Sequence, residues 1–275
     1  MFTQLLGQHF VHTALIAGVI IALVAGAVGT FVVARGMSFA VHAVSELGFT
    51  GAAGALVLGI DPVFGLLGGS LVVAGVLGVL TARGRERDSA IGTVLAFGLG
   101  VGVLLISLYQ GYATQATSLL FGSIVGVSDS QVELLAVLGT LVLIALAAVY
   151  RPLLYASVDP DVAEARGVPT RALGFVLLVL LAVTAAEAIQ VVGVLLILTL
   201  VVTPAAAAQY LTARPGLALA AAIGLALLAT VGGILASLAW PYPVSFFVAT
   251  ISFISYLVAR VVRMRRERTV RVVPA

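Results

Sequence analysis

Nine stretches of roughly 20 mostly apolar residues, separated by short breaks, constrain this chain more than any other feature. They fall at about 12–34, 37–59, 62–82, 89–109, 130–150, 170–187, 189–209, 215–238 and 242–262. A helix rises about 1.5 Å per residue, so about 20 such residues cross the hydrocarbon core of a bilayer. The breaks carry turn and charge chemistry: Arg35-Gly36, Asp61-Pro62, Arg83 to Asp88, Ser128 to Ser130, Arg214-Pro215-Gly216 and Pro241-Tyr242-Pro243. Charged residues make up 9% of the chain and hydrophobic ones 62%, whereas a soluble domain carries roughly 25% charge. A globule of 275 residues could not cover its surface with so few charges. A soluble enzyme, a disordered chain and a nucleic-acid-binding module are excluded. The expected fold is all-α: a polytopic membrane helix bundle of about nine transmembrane spans, formed by residues 1–275 as a single domain. Residues 113–128, of mixed character, suggest a short re-entrant or interfacial helix. The N-terminus has no basic leader before Arg35, and its apolar run is too long for the core of a signal peptide, so no cleavage is expected.

The arginines orient the bundle. When successive spans alternate in direction, Arg35, Arg83, Arg85, Arg87, Arg151, Arg166, Arg171, Arg214 and the tail from Arg260 to Arg271 all fall on one side. The positive-inside rule makes that side the cytoplasm. The protein is then expected in the cell (inner) membrane with a cytoplasmic C-terminus. Asp61, Asp129 and Glu133 fall near the opposite surface, where no arginine faces them and cations would be attracted; ordinary loop solvation accounts for them equally well. Two residue types are missing altogether. The chain has no lysine, so it holds no P-loop. With no cysteine, disulfides and thiolate metal sites are also excluded.

Only His42 and Glu46 place strongly polar ionisable side chains well inside a span. At i and i+4 they share one helix face. Ionisable groups at membrane depth are costly and usually face a pathway or a partner. An imidazole nitrogen with a carboxylate oxygen suits a divalent transition metal ion; a buried His–Glu hydrogen bond that joins helices is the competing explanation. Glu187 is the next candidate. It is an interfacial acid if its helix ends there, the preferred reading, and a buried carboxylate facing a cavity if the helix continues. His9 and His12 lie at i and i+3 on the outer side and are read as an ordinary helix face.

Between the fifth and sixth spans, Asp159 suits an N-cap and Pro160 a first helical position. Asp161 and Glu164 favour the positive end of the dipole, Gly167 a helix end, and Pro169 prevents continuation. About two turns of capped helix, too short and polar to span, are therefore expected in a cytoplasmic loop. A soluble partner could grip it. Glycine clusters at Gly65 with Gly68-Gly69, at Gly98, Gly100 and Gly102, and at Gly232-Gly233 indicate close helix packing without pointing to a function.

Several motifs occur in one order. They are Arg35-Gly-Met-Ser-Phe-Ala-Val-His-Ala-Val-Ser-Glu46, Arg85-Glu-Arg-Asp-Ser-Ala-Ile-Gly92, Leu119-Leu-Phe-Gly-Ser-Ile124, the segment Asp159 to Gly167, and Gln190-Val-Val-Gly-Val-Leu-Leu196 running into Thr203-Pro-Ala-Ala-Ala-Ala208. Through them the chain resembles, from about residue 12 to 262, the permease subunits of ATP-binding-cassette importers for zinc, manganese and chelated iron. The resemblance implies no permanently bound cofactor, a transported divalent metal ion, and ATP bound by a partner. It also implies cytoplasmic ATP-binding subunits, an extracytoplasmic metal-binding protein and a permease homodimer. The coupling helix that docks on the ATPase would be Asp159, Pro160, Asp161, Val162, Ala163, Glu164, Ala165, Arg166 and Gly167. At the family's Asp position this chain has His42, and at its His position Glu46, so the ligand pair is reversed in type. The family's Asp-Leu-Pro-Ser-Gly loop reads Ala239-Trp-Pro-Tyr-Pro243 here. The rival is a secondary transporter driven by an ion gradient, which needs intramembrane carboxylates; only Glu46 and Glu187 are available. An intramembrane metalloprotease would need a His-Glu-x-x-His motif, which is missing.

Overall fold

A computed structural model describes residues 8–80, 87–109 and 127–271. Arg83, Arg85, the 119–124 motif and nearly all of the 113–128 segment lie outside these described residues. Among the described residues ten α-helices follow in order: α1 (His9–Ala34), α2 (Ser38–Val57), α3 (Pro62–Leu80), α4 (Arg87–Leu108), α5 (Asp129–Val158), α6 (Pro160–Ala165), α7 (Thr170–Val192), α8 (Ile197–Leu211), α9 (Pro215–Ala239) and α10 (Val244–Arg271). A single 3-10 turn, Val194–Leu196, links α7 to α8. Among the described residues there is no strand, and eight helices are long and apolar enough to cross a membrane. The protein is a multi-pass membrane helix bundle.

Local chemistry starts and stops these helices where the breaks were read. Asp61 Oδ1 accepts the Val63 backbone N–H at 2.9 Å and so caps the start of α3. Ser128 and Gln131 form a reciprocal capping box at the start of α5. Gly36, at φ +65°, closes α1: its N–H reaches the Val33 carbonyl, and the Met37 N–H reaches that of Val32 at 2.8 Å. Helices α5, α7 and α10 outrun their expected ends. The α5 helix passes through Pro152 to Val158, and α10 continues to Arg271.

The largest departure lies at the seventh expected span, 189–209. The helix begun at Thr170 continues to Val192, and Gly193 then breaks it at φ +84°. After the 3-10 turn, α8 has only 15 residues, a length of about 22 Å, less than the hydrocarbon core. Val194 and Ile197 are buried, so this irregular backbone is enclosed by protein. That is the setting in which a membrane interior tolerates it.

The bundle has a centre and a rim. The apolar stretches of α1 and α7 are mostly buried inside the subunit, whereas α4 and α10 lie almost wholly outside with apolar faces. The α1 helix packs against α5, α7, α8 and α9; α2 lies between α3 and α4 and touches α7. The α2–α3 contact depends on missing side chains. A Cβ on Gly51 would run into the Gly65 carbonyl, and one on Gly69 would lie 2.9 Å from the Gly51 Cα. Gly68 and Gly100, in the same sequence clusters, face open space.

Contacts between distant segments identify the two ends of the bundle. His9 and Asp129 meet at one end, where His9 Nε2 lies 3.7 Å from Asp129 Oδ2. At the other end Arg35 reaches Thr170, and Arg266 Nη1 donates to the Leu211 carbonyl at 2.9 Å, closing the end of α8.

Candidate functional site

The α2 helix starts directly after the Gly36 turn, so its first turns stand at the arginine-rich end of the bundle. His42 lies four residues in and Glu46 one turn further. His42 Nδ1 is 3.9 Å from Glu46 Oε1, and the Phe39 ring lies against the imidazole with centroids 6.3 Å apart. The His42 side chain is 43% exposed and that of Glu46 15%. The pair therefore opens away from the subunit interior while most neighbouring α2 side chains are buried. At 3.9 Å the two groups interact without a short hydrogen bond, which leaves lone pairs on both for a further partner. Among the described residues, no group of three or more His, Cys, Asp or Glu side chains lies close enough to hold a metal ion. The described residues thus bring two possible ligands, His42 and Glu46, to this face.

Further along α2, Thr50 Oγ1 donates to the Gly98 carbonyl at 3.1 Å and ties α2 to α4. Beside it lies a cavity of ≈ 620 Å³ walled by Gly51, Gly54, Val73, Phe97 and Val101 among others. Its lining has the hydroxyls of Thr50 and Thr93 but no charged group, so it does not supply ligands for a divalent cation.

Glu187 does not sit at an interface. It lies within α7, five residues before its last residue, and is 0% exposed. This corrects the interfacial reading, because the helix continues beyond the expected end at residue 187. A Cβ added to Gly139 of α5 would lie 3.6 Å from Glu187 Oε2, and Ile20 and Val24 of α1 flank the same point. Among the described residues, neither carboxylate oxygen has a hydrogen-bond partner. Two of the acids expected near the outer surface have local partners: Asp61 caps α3, and Asp129 faces His9 and Thr13.

The Asp159 to Gly167 segment folds as the residues dictate. Asp159 Oδ1 accepts the Val162 N–H at 3.0 Å, and Pro160 opens α6. Gly167, at φ +81°, ends it, with its N–H on the Glu164 carbonyl and the Val168 N–H on that of Ala163. Ala163 is 0% exposed and points into the subunit. Asp161, Val162, Glu164, Ala165 and Arg166 face outward, and Val162 is 42% exposed. The six residues of α6 thus divide into an inner anchor and an outer face available to a partner.

One contact was not foreseen from the residues. Arg35 Nη2 donates to the Thr170 carbonyl at 3.2 Å, and Thr170 Oγ1 lies 3.5 Å from Glu164 Oε2. The available signal was weak: Arg35 is the first basic residue of the chain and stands at a helix end, which is common in membrane proteins.

A multi-pass bundle with a short capped helix held outside the spans, and an ionisable pair on a half-exposed helix face, has the build of a transporter permease. The chain belongs to the ABC 3 transport family, whose model matches residues 7–263. It is 30% identical over 85% of its length to "Manganese transport system membrane protein MntC" of Halalkalibacterium halodurans, covering 80% of that protein. To "Manganese import system permease protein ScaB" of Streptococcus parasanguinis it is 36% identical over 73% of its length and 71% of the relative. Among solved structures it superposes on a chain of "PsaBC from Streptococcus pneumoniae in complex with Fab" with a TM-score of 0.84 and 28% identity, covering 94% of each chain. An inward-facing putative metal-chelate type ABC transporter shares the fold, with a TM-score of 0.61 and 20% identity.

Proposed function

We propose that this chain is the membrane-spanning subunit of an ATP-driven importer of a divalent transition metal ion (manganese, zinc or iron), and that it provides the translocation pathway. The observation that carries this reading is the His42–Glu46 pair: two ligand types suited to such ions, on a helix long and apolar enough to span, opening off the face of α2. The names of the relatives favour manganese, and a carboxylate oxygen is a hard ligand that suits it. Because the pair is an incomplete ligand set, the rest would come from a second permease subunit, from solvent or from the delivering protein.

A lysine-free sequence has no P-loop, which supports ATP being bound by separate cytoplasmic subunits, with α6 as their contact. An extracytoplasmic metal-binding protein would deliver the ion at the His9–Asp129 end. On this reading the chain forms one domain in the cell membrane with its C-terminus in the cytoplasm. Glu187 is the remaining carboxylate at depth, and Glu187→Gln in the uptake assay below separates a path through α7 from one along α2.

Metal-starved cells that carry the complete transport system, with and without this chain, test the reading. Uptake of manganese, zinc and iron should each be compared, and the chain should be required for at least one of them. Equal uptake of all three ions without the chain would overturn the importer reading. Orientation is checked by single-cysteine labelling, which the cysteine-free chain makes clean. In intact cells an impermeant thiol reagent is expected to label position 129 and to leave position 265 unlabelled; the reverse pattern would invert the map.

A further inference from the structure

We propose that Arg35 is a positioning residue that links α6 to the helix bearing His42 and Glu46, so that a displacement of α6 by a bound ATPase is passed to α2. The inference rests on the importer reading above and adds the route by which the ATPase reaches the ion pathway. Three contacts make up the route. Glu164 of α6 faces the Thr170 hydroxyl at 3.5 Å, the Thr170 carbonyl accepts from Arg35 Nη2 at 3.2 Å, and Arg35 is the residue that ends α1. Thr170, at the middle of the junction, is 8% exposed, with Arg35 half-buried beside it and Glu164 at the surface.

The position of the guanidinium is informative. A cation is favoured at the C-terminal end of α1 and disfavoured at the N-terminal end of α7, because the two helix dipoles point oppositely there. Arg35 nevertheless spans the two ends and holds the first-turn carbonyl of α7. Gly174 packs beside it: a Cβ there would sit in ordinary van der Waals contact, 3.5 Å from Arg35 Nη2.

The turn after Arg35 is stiff. Hydrogen bonds from Gly36 and Met37 to Val33 and Val32 close it, and the Met37 side chain is buried. The α2 helix begins at the next residue, and His42 lies just over one turn beyond. A rigid turn transmits movement because packed elements shift as units rather than deform. Pushing the α6–α7 junction therefore moves the start of α2, and His42 and Glu46 with it.

The test uses the complete transporter, with ATPase subunits and binding protein, in proteoliposomes of phosphatidylethanolamine and phosphatidylglycerol, with manganese chloride and binding protein outside and ATP inside. Metal uptake per ATP hydrolysed is the readout. Arg35→Gln is expected to assemble with the ATPase and to keep its ATP turnover, while uptake per ATP falls about tenfold, within the range of ordinary coupling energies. Arg35→Lys, which keeps a charged donor, should recover most of the ratio. A wild-type ratio in Arg35→Gln would overturn the proposal. If Arg35→Gln fails to fold, Arg35→Met, which keeps the length and apolar stem and removes the donor, takes its place: a lowered ratio supports the route, and a wild-type ratio overturns it. Failure of the importer reading is distinguishable, because the wild-type transporter would then show no ATP-dependent uptake.

Discussion

Replacing Glu46 with glutamine is expected to lower metal uptake at least tenfold, on the order of 1.4 kcal/mol or more in ion binding or passage, with insertion and subunit yield unchanged. Glutamine keeps the length and the hydrogen-bonding oxygen of glutamate, so helix packing and the contact with His42 survive. What disappears is the negative charge, which a divalent cation needs to offset the loss of its water at membrane depth. The pair is 3.9 Å apart and partly exposed, so neither group is already committed to a short bond that would make the substitution structural. His42→Ala should weaken uptake in the same direction. Uptake measured across a range of manganese and zinc concentrations decides the matter. Wild-type rates for Glu46→Gln at every concentration would make the pair a packing feature and move the search for the path to Glu187.

The second large effect is expected at α6. Val162→Glu should dissociate the ATPase subunits while the permease remains folded and monodisperse in detergent. An exposed apolar side chain on a capped helix suits an anchor in a partner's groove, and losing such an anchor typically costs about 2 kcal/mol or more, roughly thirtyfold in affinity. Charge at this point would also be desolvated in the contact. Ala163→Glu, one residue along, should behave differently. Its side chain is fully enclosed by the subunit, so an introduced carboxylate is buried without a partner, and misfolding rather than clean dissociation should follow. Co-purification of ATPase with each variant, together with size-exclusion profiles of the permease, separates the outcomes. Val162→Glu that retains full ATPase binding and normal transport would rule out the outward face of α6 as the docking surface.

These expectations draw unequally on sequence and structure. The capped helix at Asp159 to Gly167 was legible because caps and dipoles act within a few residues: Asp159 reaches only to Val162, and Gly167 only to Glu164. The division of its residues into anchor and outer face was not, since a six-residue helix has too little periodicity to reveal which side the subunit covers. His42 and Glu46 were placed on one face by their spacing alone, but their partial exposure depends on what α3, α4 and α7 leave uncovered. The Gly-rich stretches pointed to close packing. Which glycines make it, Gly51, Gly65 and Gly69 but not Gly68, depends on how two helices are turned toward each other.

The residue order alone determined the membrane class, most span positions, the placing of the arginines at alternate breaks and the lack of a lysine-bearing P-loop. Each follows from local hydropathy, from charge counting or from a missing residue type. Only the tertiary structure decided the fate of Glu187, the break at Gly193 that shortens α8, and the Arg35–Thr170 link. All three depend on segments far apart in the chain. Glu187 is enclosed because α1 and α5 close over α7 at Ile20, Val24 and Gly139. The irregular turn at Gly193 is tolerable because neighbouring helices shield it from lipid. Arg35 meets a carbonyl 135 positions away. A hydropathy profile records how apolar each stretch is, and packing among stretches of equal hydropathy is set by shape, which the profile does not contain.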